Sequence, residues 1–364
     1  MRIYDIISYL ERCYPLSLQA SFDNCGLLIG NKDDAVNAAL ISLDCTEEVV
    51  DEAILLGANL IISHHPIIFK GLKKITHDSY LDRILLKAIK NGISIYAIHT
   101  NLDHSLEGVN KEIANRLGVL NPRILDPIPS QLYKLSVFVP LEYKALVLNA
   151  LFEKGAGTLG NYSGCSFSSL GEGSFNPMIG ANPFEGEIGE RSLVNELKIE
   201  VIVGQYNLAA VIKAMQESHP YEEVAHDIVL LSNQLGIEGS GMIGELDSEM
   251  SEIDFLNHLK KAFNCEVIRH TNLQGKMIKK IAFCGGSGSF LLDKAKVQKA
   301  DIFITGDFKY HEFFDADNEL IIADIGHYES EQFTSDLIYR VLTQKFTKFA
   351  FYITKLNTNP IKYF

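Results

Sequence analysis

The first third of the chain alternates between short apolar runs and stretches whose apolar residues recur at helical spacing. Thr46 is a candidate helix N-cap, because two glutamates follow it and Gly57 comes where that helix would end. The alternation predicts a mostly parallel sheet with ligand sites beyond the carboxyl ends of its strands. The predicted strands cover 37–44, 59–63 and 93–98, and the predicted helices cover 46–56 and 80–90.

The middle of the chain has a different pattern. Three prolines in 122–131 predict a linker, and a glycine-rich stretch covers 155–189. Two β-α-β patterns flank that stretch, which indicates a small inserted ferredoxin-like α+β domain. Its predicted strands cover 135–140, 196–203 and 225–231, and its predicted helices cover 141–154 and 208–217.

After Leu235 the α/β alternation returns, so the first and last thirds are interpreted as two halves of one α/β unit that a third segment interrupts. The last predicted helix is long and continuous. The strands predicted here cover 279–284, 301–305 and 319–324, and the helices cover 255–263, 290–299 and 328–342.

Three clusters of metal-binding residue types follow predicted strands of the first and last thirds. His64 and His65 follow 59–63, Asp103 lies shortly after 93–98, and His327 and Glu331 open the last helix four residues apart. That spacing places both side chains on one helix face. Because strand ends of a parallel sheet meet at one edge, we expect these five residues to converge.

Mixed nitrogen and oxygen ligation favours Zn, Mn, Fe or Co over Mg or Ca. Five ligands exceed the needs of one open catalytic ion, whereas two ions roughly 3.5–4 Å apart with a bridging carboxylate would use them well. The remaining histidines of the second cluster, His99 and His104, are interpreted as orienting or structural groups. The alternatives are hydrogen-bonded loop histidines and a solvated surface pair formed by His327 and Glu331.

Two further loops carry candidate chemistry. Asp307, Lys309 and His311 follow a predicted strand and could face a substrate, with Lys309 holding a phosphate; a polar loop that caps a helix is the alternative. A glycine-rich turn at 285–289 also opens a helix, a geometry suited to anions, although it does not match the P-loop pattern.

Composition narrows the function classes. The net charge of −13, without long basic runs, argues against direct nucleic-acid binding. Six widely spaced cysteines without a C-x-x-C pair fit neither a disulfide framework nor a thiolate zinc site. The amphipathic first segment is unlike a signal peptide, and no apolar run reaches the length of a membrane span. We therefore expect a cytoplasmic protein without membrane association.

Taken together, the motifs resemble the GTP cyclohydrolase I type 2 homolog family, also called the Nif-three-like family. The resemblance covers nearly the whole chain and includes several ordered motifs. These are FDNCGLLIG at 22–30, SHHP at 63–66, HTNLD at 99–103, TGDFKYHE at 305–312, GHYESE at 326–331 and TNPIKY at 358–363.

The resemblance implies a two-lobed Nif-three-like α/β fold and a two-metal site. In that site His64 and Asp103 would hold one ion, His65 and His327 the other, and Glu331 would bridge them. It also implies a homohexamer and a P-II- or CutA-like inserted domain. The domain boundaries follow as a first lobe over 1–124, the insert over 132–232 and a second lobe over 235–364.

The function expected from these residues is dinuclear-metal-dependent hydrolysis of a nucleotide or related phosphorylated small molecule. Zinc is the first choice of metal, with Mn, Fe or Co as alternatives, and Glu331, Asp307, Lys309 and His311 are the candidate catalytic residues. The other hypothesis is a non-catalytic metal-binding regulatory or scaffold protein with a ligand-sensing insert. Met242 stands where an Arg is expected in many relatives, so a substrate difference is possible if that position contacts substrate.

Overall fold

The computed structural model describes residues 1–128, 132–160, 162–233 and 238–364. The chain forms two compact units, Met1–Ile128 with Ile237–Phe364 as the first and Pro129–Gly236 as the second. Among the described helices, none combines the length and the apolar character needed to cross a membrane.

The described segments contain both strands and helices throughout. The strands are β1 Gly26–Ile29, β2 Ala39–Ser42, β3 Leu60–Ser63, β4 Ser94–Ala97, β5 Val119–Pro127, β6 Leu132–Pro140, β7 Ser166–Phe175, β8 Ser192–Gly204, β9 His226–Leu231, β10 Gly239–Ser251, β11 Arg269–His270, β12 Met277–Ser287, β13 Ile302–Gly306, β14 Ile321–Asp324 and β15 Phe351–Ile353. The helices are α1 Ile3–Cys13, α2 Glu47–Leu55, α3 Tyr80–Lys90, α4 Thr100–Asp103, α5 Val109–Leu117, α6 Lys144–Glu153, α7 Leu208–Ser218, α8 Glu252–Phe263, α9 Leu292–Val297, α10 His327–Glu331 and α11 Thr334–Lys345.

The first sheet of the first unit has the order β1-β4-β3-β2-β15. Strands β15, β2, β3 and β4 run parallel, and only β1 joins antiparallel. The predicted parallel pairing of the first third is therefore confirmed. Thr46 caps α2 as predicted, because its hydroxyl accepts a hydrogen bond from the Val49 amide.

The second sheet of this unit has the order β11-β14-β13-β12-β10-β5. Its centre, β12-β13-β14, is parallel, and the remaining pairings are antiparallel. The two halves of the chain exchange strands, since β5 from the first half lies in this sheet and β15 from the last half lies in the other. Ile41, Ile62 and Ile304 are fully or almost fully buried in one core cluster that joins both sheets.

The proline-rich segment that the sequence suggested as a linker is mostly strand β5, and residues 129–131 of that prediction lie outside the described part. Strand β5 pairs antiparallel with β10 at the edge of its sheet. An edge strand tolerates proline because the proline nitrogen, which has no hydrogen to donate, can face away from the neighbouring strand. Pro122 and Pro127 therefore do not prevent the strand from forming.

The second unit is a four-stranded antiparallel sheet of order β7-β8-β6-β9. Its elements follow one another as β-α-β-β-α-β, and side chains from both helices pack on one core with the sheet, among them Val147, Leu151 and Val211. Strand β7, which lies in the glycine-rich stretch, was not predicted from the sequence. Gly171 and Gly173 lower strand propensity there, but the strand pairs with β8 over its whole length.

The predicted single final helix is two helices, α10 and α11. The side-chain amide of Gln332 donates to the carbonyl of Glu329, at 3.2 Å, and to the carbonyl of Phe263, at 2.7 Å. In a continuous helix the Glu329 carbonyl would accept from the Phe333 amide. The competing side-chain bond accompanies the break, so α10 stands alone as a short helix.

Candidate metal centre

The histidine pair lies directly after β3, where main-chain hydrogen bonds continue the parallel pairing. The amide of His64 donates to the Ser42 carbonyl at 3.1 Å, and the amide of His65 donates to the Leu43 carbonyl at 2.9 Å. Asp103 ends α4, the short helix that follows β4. Both clusters therefore come from the carboxyl ends of neighbouring parallel strands.

The remaining two predicted ligands come from the other sheet of the same unit. Gly326, with a φ of 96°, turns the chain from β14 into α10, and its amide donates to the carboxylate of Asp324 at 3.0 Å. His327 and Glu331 then lie one turn apart on α10. The structure thus brings together all five ligand residues that the sequence predicted.

Glu331 lies at the centre of this cluster, and its side chain is only 3% exposed. Its Oε2 atom is 3.0 Å from His65 Nε2 and 3.0 Å from His327 Nε2. Its Oε1 atom is 3.8 Å from His64 Nε2, which is 3.6 Å from Asp103 Oδ1. One carboxylate therefore faces two separate groups of nitrogen and oxygen atoms.

The orientation of the rings favours a cation at this point. A carboxylate only accepts hydrogen bonds, so the Nδ1 atoms of His65 and His327, each 2.7 Å from an aspartate oxygen, carry protons. In the neutral rings both Nε2 lone pairs then point toward each other, 3.2 Å apart, and toward Glu331. Such converging lone pairs repel unless protons or a metal ion lie between them.

The buried side of the cluster gives a second indication. Within the described part of the chain, His64 Nε2 and Asp103 Oδ1 are buried and have no hydrogen-bond partner. An unpaired buried polar atom costs free energy, so its retention calls for an explanation. Because the two atoms face each other across 3.6 Å, the residues present fit a metal ligand set.

Two aspartates orient the more exposed rings and change their acid–base behaviour. Burial alone would lower the pKa of His65, but hydrogen bonds to Asp44 and Glu331 raise it to about 9. Burial would also lower the pKa of His327, but the neighbouring carboxylates of Glu331 and Asp307 outweigh this effect and raise the pKa to about 11. Without metal, both rings are therefore in the positively charged imidazolium form at neutral pH.

The pKa values of the Glu331 and Asp103 carboxyl groups are shifted in opposite directions. Burial would raise the pKa of Glu331, but the surrounding histidines, His327 foremost, hold it well below the ordinary range. Burial raises the pKa of Asp103.

The glycine-rich turn that the sequence suggested as an anion site packs against Glu331 instead: a Cβ on Gly286 would lie 2.4 Å from Glu331 Oε1. Only glycine fits beside the buried carboxylate.

His99 was not among the predicted ligands, but one of its ring nitrogens lies within 4.8 Å of ring nitrogens of His64 and His65. Its Nδ1 atom is 2.9 Å from the buried carboxylate of Asp23. The described residues thus contain three groups that could hold a metal ion: His64, Asp103, Glu331; His65, His327, Glu331; and His64, His65, His99. The predicted structural role fits His104, whose Nδ1 is 2.7 Å from the Leu18 carbonyl.

The orienting residues Asp44 and Asp23 were also missed. Asp44 lies just beyond β2, and this position at a strand end could have identified it as a candidate site residue. Asp307, predicted to be catalytic, contacts His327 and has a φ of 60°. Its left-handed backbone is one that Asp adopts more readily than most residues.

The cluster opens into a cavity of about 1100 Å³ within the first unit. Besides the predicted ligands His65, Asp103, His327 and Glu331, exposed aromatic side chains line it, namely Phe22, Phe69, Tyr80 and Phe290. Asp307 is part of the lining, whereas the exposed Lys309 and His311 are not among the described lining residues.

The remaining candidates, Lys309 and His311, contact neighbouring side chains of the same loop. Lys309 pairs with Glu312 at 3.7 Å, and the ring of His311 stacks on Phe314. Met242 is fully buried in the core and is not among the lining residues of the cavity. A substrate in the cavity therefore does not touch the position at which an Arg was expected.

Known proteins resemble this chain over most of its length. The family model described as Duf34/NIF3 (NGG1p interacting factor 3) matches residues 1–360. The chain is a member of the Duf34/NIF3 family. A Halalkalibacterium halodurans member named "GTP cyclohydrolase 1 type 2 homolog" is 44% identical over 324 residues, 88% of this chain and 87% of the relative.

Other family members match over their full length. A Staphylococcus epidermidis protein with the same name is 36% identical over 367 residues and covers 100% of both chains. The crystal structure of a Bacillus cereus protein related to NIF3 is 39% identical, with a TM-score of 0.90, and the match covers 100% of this chain and 99% of that one. The mixed α/β fold is therefore shared with this solved structure.

Proposed function

We propose that this Duf34/NIF3 family member is a metal-dependent hydrolase that holds two divalent ions per chain, zinc first, with Mn, Fe or Co as alternatives. The position of Glu331 carries the proposal, since its two oxygens face different ligand groups. His64 and Asp103 would hold one ion, His65 and His327 the other, and Glu331 both. Nitrogen and oxygen ligands suit these metals.

Two ions held in this way would supply an activated water near neutral pH and would polarise the bond that is attacked. The residues of the chain would position those ions. Asp44 and Asp307 fix the rings of His65 and His327, and Glu331 holds both sides of the centre together. As candidate catalytic residues we retain Glu331, Asp307, Lys309 and His311, of which Lys309 and His311 need a substrate that extends beyond the cavity lining.

For the substrate we propose a nucleotide or a related phosphorylated small molecule. The name of the relatives, "GTP cyclohydrolase 1 type 2 homolog", points to a nucleotide. The aromatic side chains at the cavity wall offer faces on which a ring can stack. Arg83, which also lines the cavity, offers a cation for a phosphate.

The test is a hydrolysis screen of nucleoside triphosphates, diphosphates and monophosphates with metal-loaded protein, wild type and Glu331→Gln. We expect turnover of one nucleotide class that falls by at least about 100-fold in Glu331→Gln, because both ions lose a ligand. Glu319→Gln, a surface change at the ion pair with Lys296, is the matched control and should behave as wild type. Activity that survives Glu331→Gln would contradict the proposal.

A regulatory or scaffold role is the second candidate, and the second unit is the feature that favours it. We propose that residues 132–232 form an inserted ferredoxin-like domain of the P-II or CutA kind between lobes 1–124 and 235–364. The β-α-β-β-α-β order and the sheet order β7-β8-β6-β9 support this. Metal-dependent assembly without turnover of any nucleotide would favour this role.

We also propose a homohexamer, on the basis of the resemblance seen in the sequence, and sedimentation of the metal-loaded protein tests it. A cytoplasmic location is supported by the six cysteines, all of which are free thiols.

A further inference from the structure

The chain ends in a segment, 357–363, that is neither helix nor strand but is well fixed by its own hydrogen bonds. The side chain of Asn357 accepts from the Asn359 amide at 2.9 Å, and the side chain of Asn359 accepts from the Ile361 amide at 2.9 Å. Asx turns of this kind restrict a backbone that has no ladder partners. Part of the segment, Thr358 to Ile361, lines the cavity of the metal centre.

Thr358 connects this segment to one of the metal-binding rings. Its hydroxyl donates to Asp44 Oδ2 at 2.6 Å, and Asp44 Oδ1 lies 2.7 Å from His65 Nδ1. The opposite ring nitrogen of His65 is the one that faces Glu331. Both oxygens of Asp44 are therefore engaged, one by the hydroxyl and one by the ring, and the carboxylate plane cannot rotate without losing one of the two bonds.

Asn359 connects the same segment to α10. Its side-chain amide donates to Glu329 Oε1 at 3.0 Å, and both side chains belong to buried residues. Glu329 lies on α10 between His327 and Glu331, and a Cβ on Gly326 would lie 2.1 Å from Glu329 Oε2. The terminal segment thus contacts both the partner of His65 and the helix that carries the other two ligands of that group.

We propose that Thr358 is a positioning residue: through Asp44 it fixes the ring of His65, and the C-terminal segment thereby sets the affinity of the ion held by His65 and His327. The inference rests on the proposed function, because it assumes that the site binds metal. Groups that orient a metal-bound histidine affect metal affinity by roughly 10- to 100-fold when they are removed.

The test compares Thr358→Val with Thr358→Ser in zinc competition against a chromophoric chelator, and in the visible spectrum of cobalt-loaded protein. Valine keeps the shape but removes the donor, so we expect one of two ions to bind on the order of 10-fold more weakly, with an altered cobalt spectrum. Serine keeps the hydroxyl and should bind both ions as wild type does. Thr354→Val is the matched control, because Thr354 makes an equivalent hydrogen bond to the distant Glu52.

A double variant separates positioning from a general structural role. If Thr358 acts through Asp44, adding Thr358→Val to Asp44→Asn should cause less than about a twofold further loss of affinity. Full additivity, or wild-type affinity for both ions in Thr358→Val, would overturn the inference while the metal site stands. A wild-type protein that binds no metal would instead refute the proposed function, and the inference with it.

Discussion

The two sides of the candidate metal centre differ in what holds their rings. On the inner side, defined by His64 and Asp103, the His64 ring is fully buried and its Nδ1 lies 2.8 Å from the main-chain carbonyl of Ile98. On the outer side, defined by His65 and His327, the rings are 17% and 32% exposed, and aspartate side chains hold them.

One site can therefore combine an inner side whose histidine ring is held by the main chain with an outer side whose rings are held by side chains. A main-chain carbonyl is neutral and is positioned by the fold, so the inner ring depends on β4 and its neighbours. A carboxylate is charged and makes the ring it contacts more basic. We therefore expect the outer ion to be the one that responds to substitutions around the site and to pH.

The largest effect is expected from Glu331→Gln, which should release both ions. Glu331 is shared by the inner and outer sides, and an amide is a much poorer metal ligand than a carboxylate. Metal content per chain, measured after gel filtration, checks this. Loss of one ion only would show that Glu331 does not bridge the two sides.

Substitutions confined to one side should remove one ion and leave the other. Asp103→Ala takes away the carboxylate of the inner side, and His327→Ala takes away a ring of the outer side. Each variant is expected to retain about one ion per chain, because the opposite group keeps its own ligands. If both variants lose all metal, the two sides do not act as separate groups.

Asp44→Asn and Asp307→Asn should have smaller effects that are restricted to the outer ion. Each variant keeps the shape of the aspartate but no longer supplies a charged acceptor to a ring Nδ1. The affinity for the outer ion should fall on the order of 10-fold, measured by chelator competition. Asp126→Asn, at a surface pair with Lys294, is the control and should leave both affinities unchanged.

The last prediction concerns a different property, the pH dependence of the stability of the metal-free protein. The folded-state pKa values of His65 and His327 are raised to about 9 and about 11, above an unfolded value of about 6.5. The native state therefore binds more protons than the unfolded state in that window, and stability falls as pH rises from 6.5 through these values. The stabilisation is fully present below pH 6.5.

Urea unfolding of metal-free protein at pH 6.5 and pH 10 measures this dependence. A double variant with His65→Gln and His327→Gln should lose most of the difference between the two pH values. A dependence that persists in the double variant would assign the titration to other groups.

Much of the first unit could be predicted from the sequence, because its signals are local. Strand β3 is an uninterrupted apolar run, and α3 was predicted with the observed ends, Tyr80 and Lys90. The five predicted ligand residues follow strand ends, and the rule that parallel strands place ligands at their carboxyl ends brings together those of one sheet. His327 and Glu331 come from the second sheet, so their approach to the other three depends on how the two sheets pack, which the sequence does not reveal.

Other features depend on distant partners and were not predicted. Strand β5 contains prolines, and its pairing partner β10 lies beyond the whole second unit in the sequence. The break after α10 is accompanied by side-chain hydrogen bonds from Gln332 to the carbonyls of Glu329 and of the distant Phe263, which no periodicity reveals. For the same reason the contact of Thr358 with Asp44 could not be seen, since 314 positions separate the two residues.

The most direct test of the account is the metal content of wild-type protein purified without chelator, measured by elemental analysis before and after incubation with zinc. We predict about two ions per chain in the wild type and none in Glu331→Gln. A wild-type chain that retains no metal after incubation with zinc, manganese, iron or cobalt would contradict the central claim.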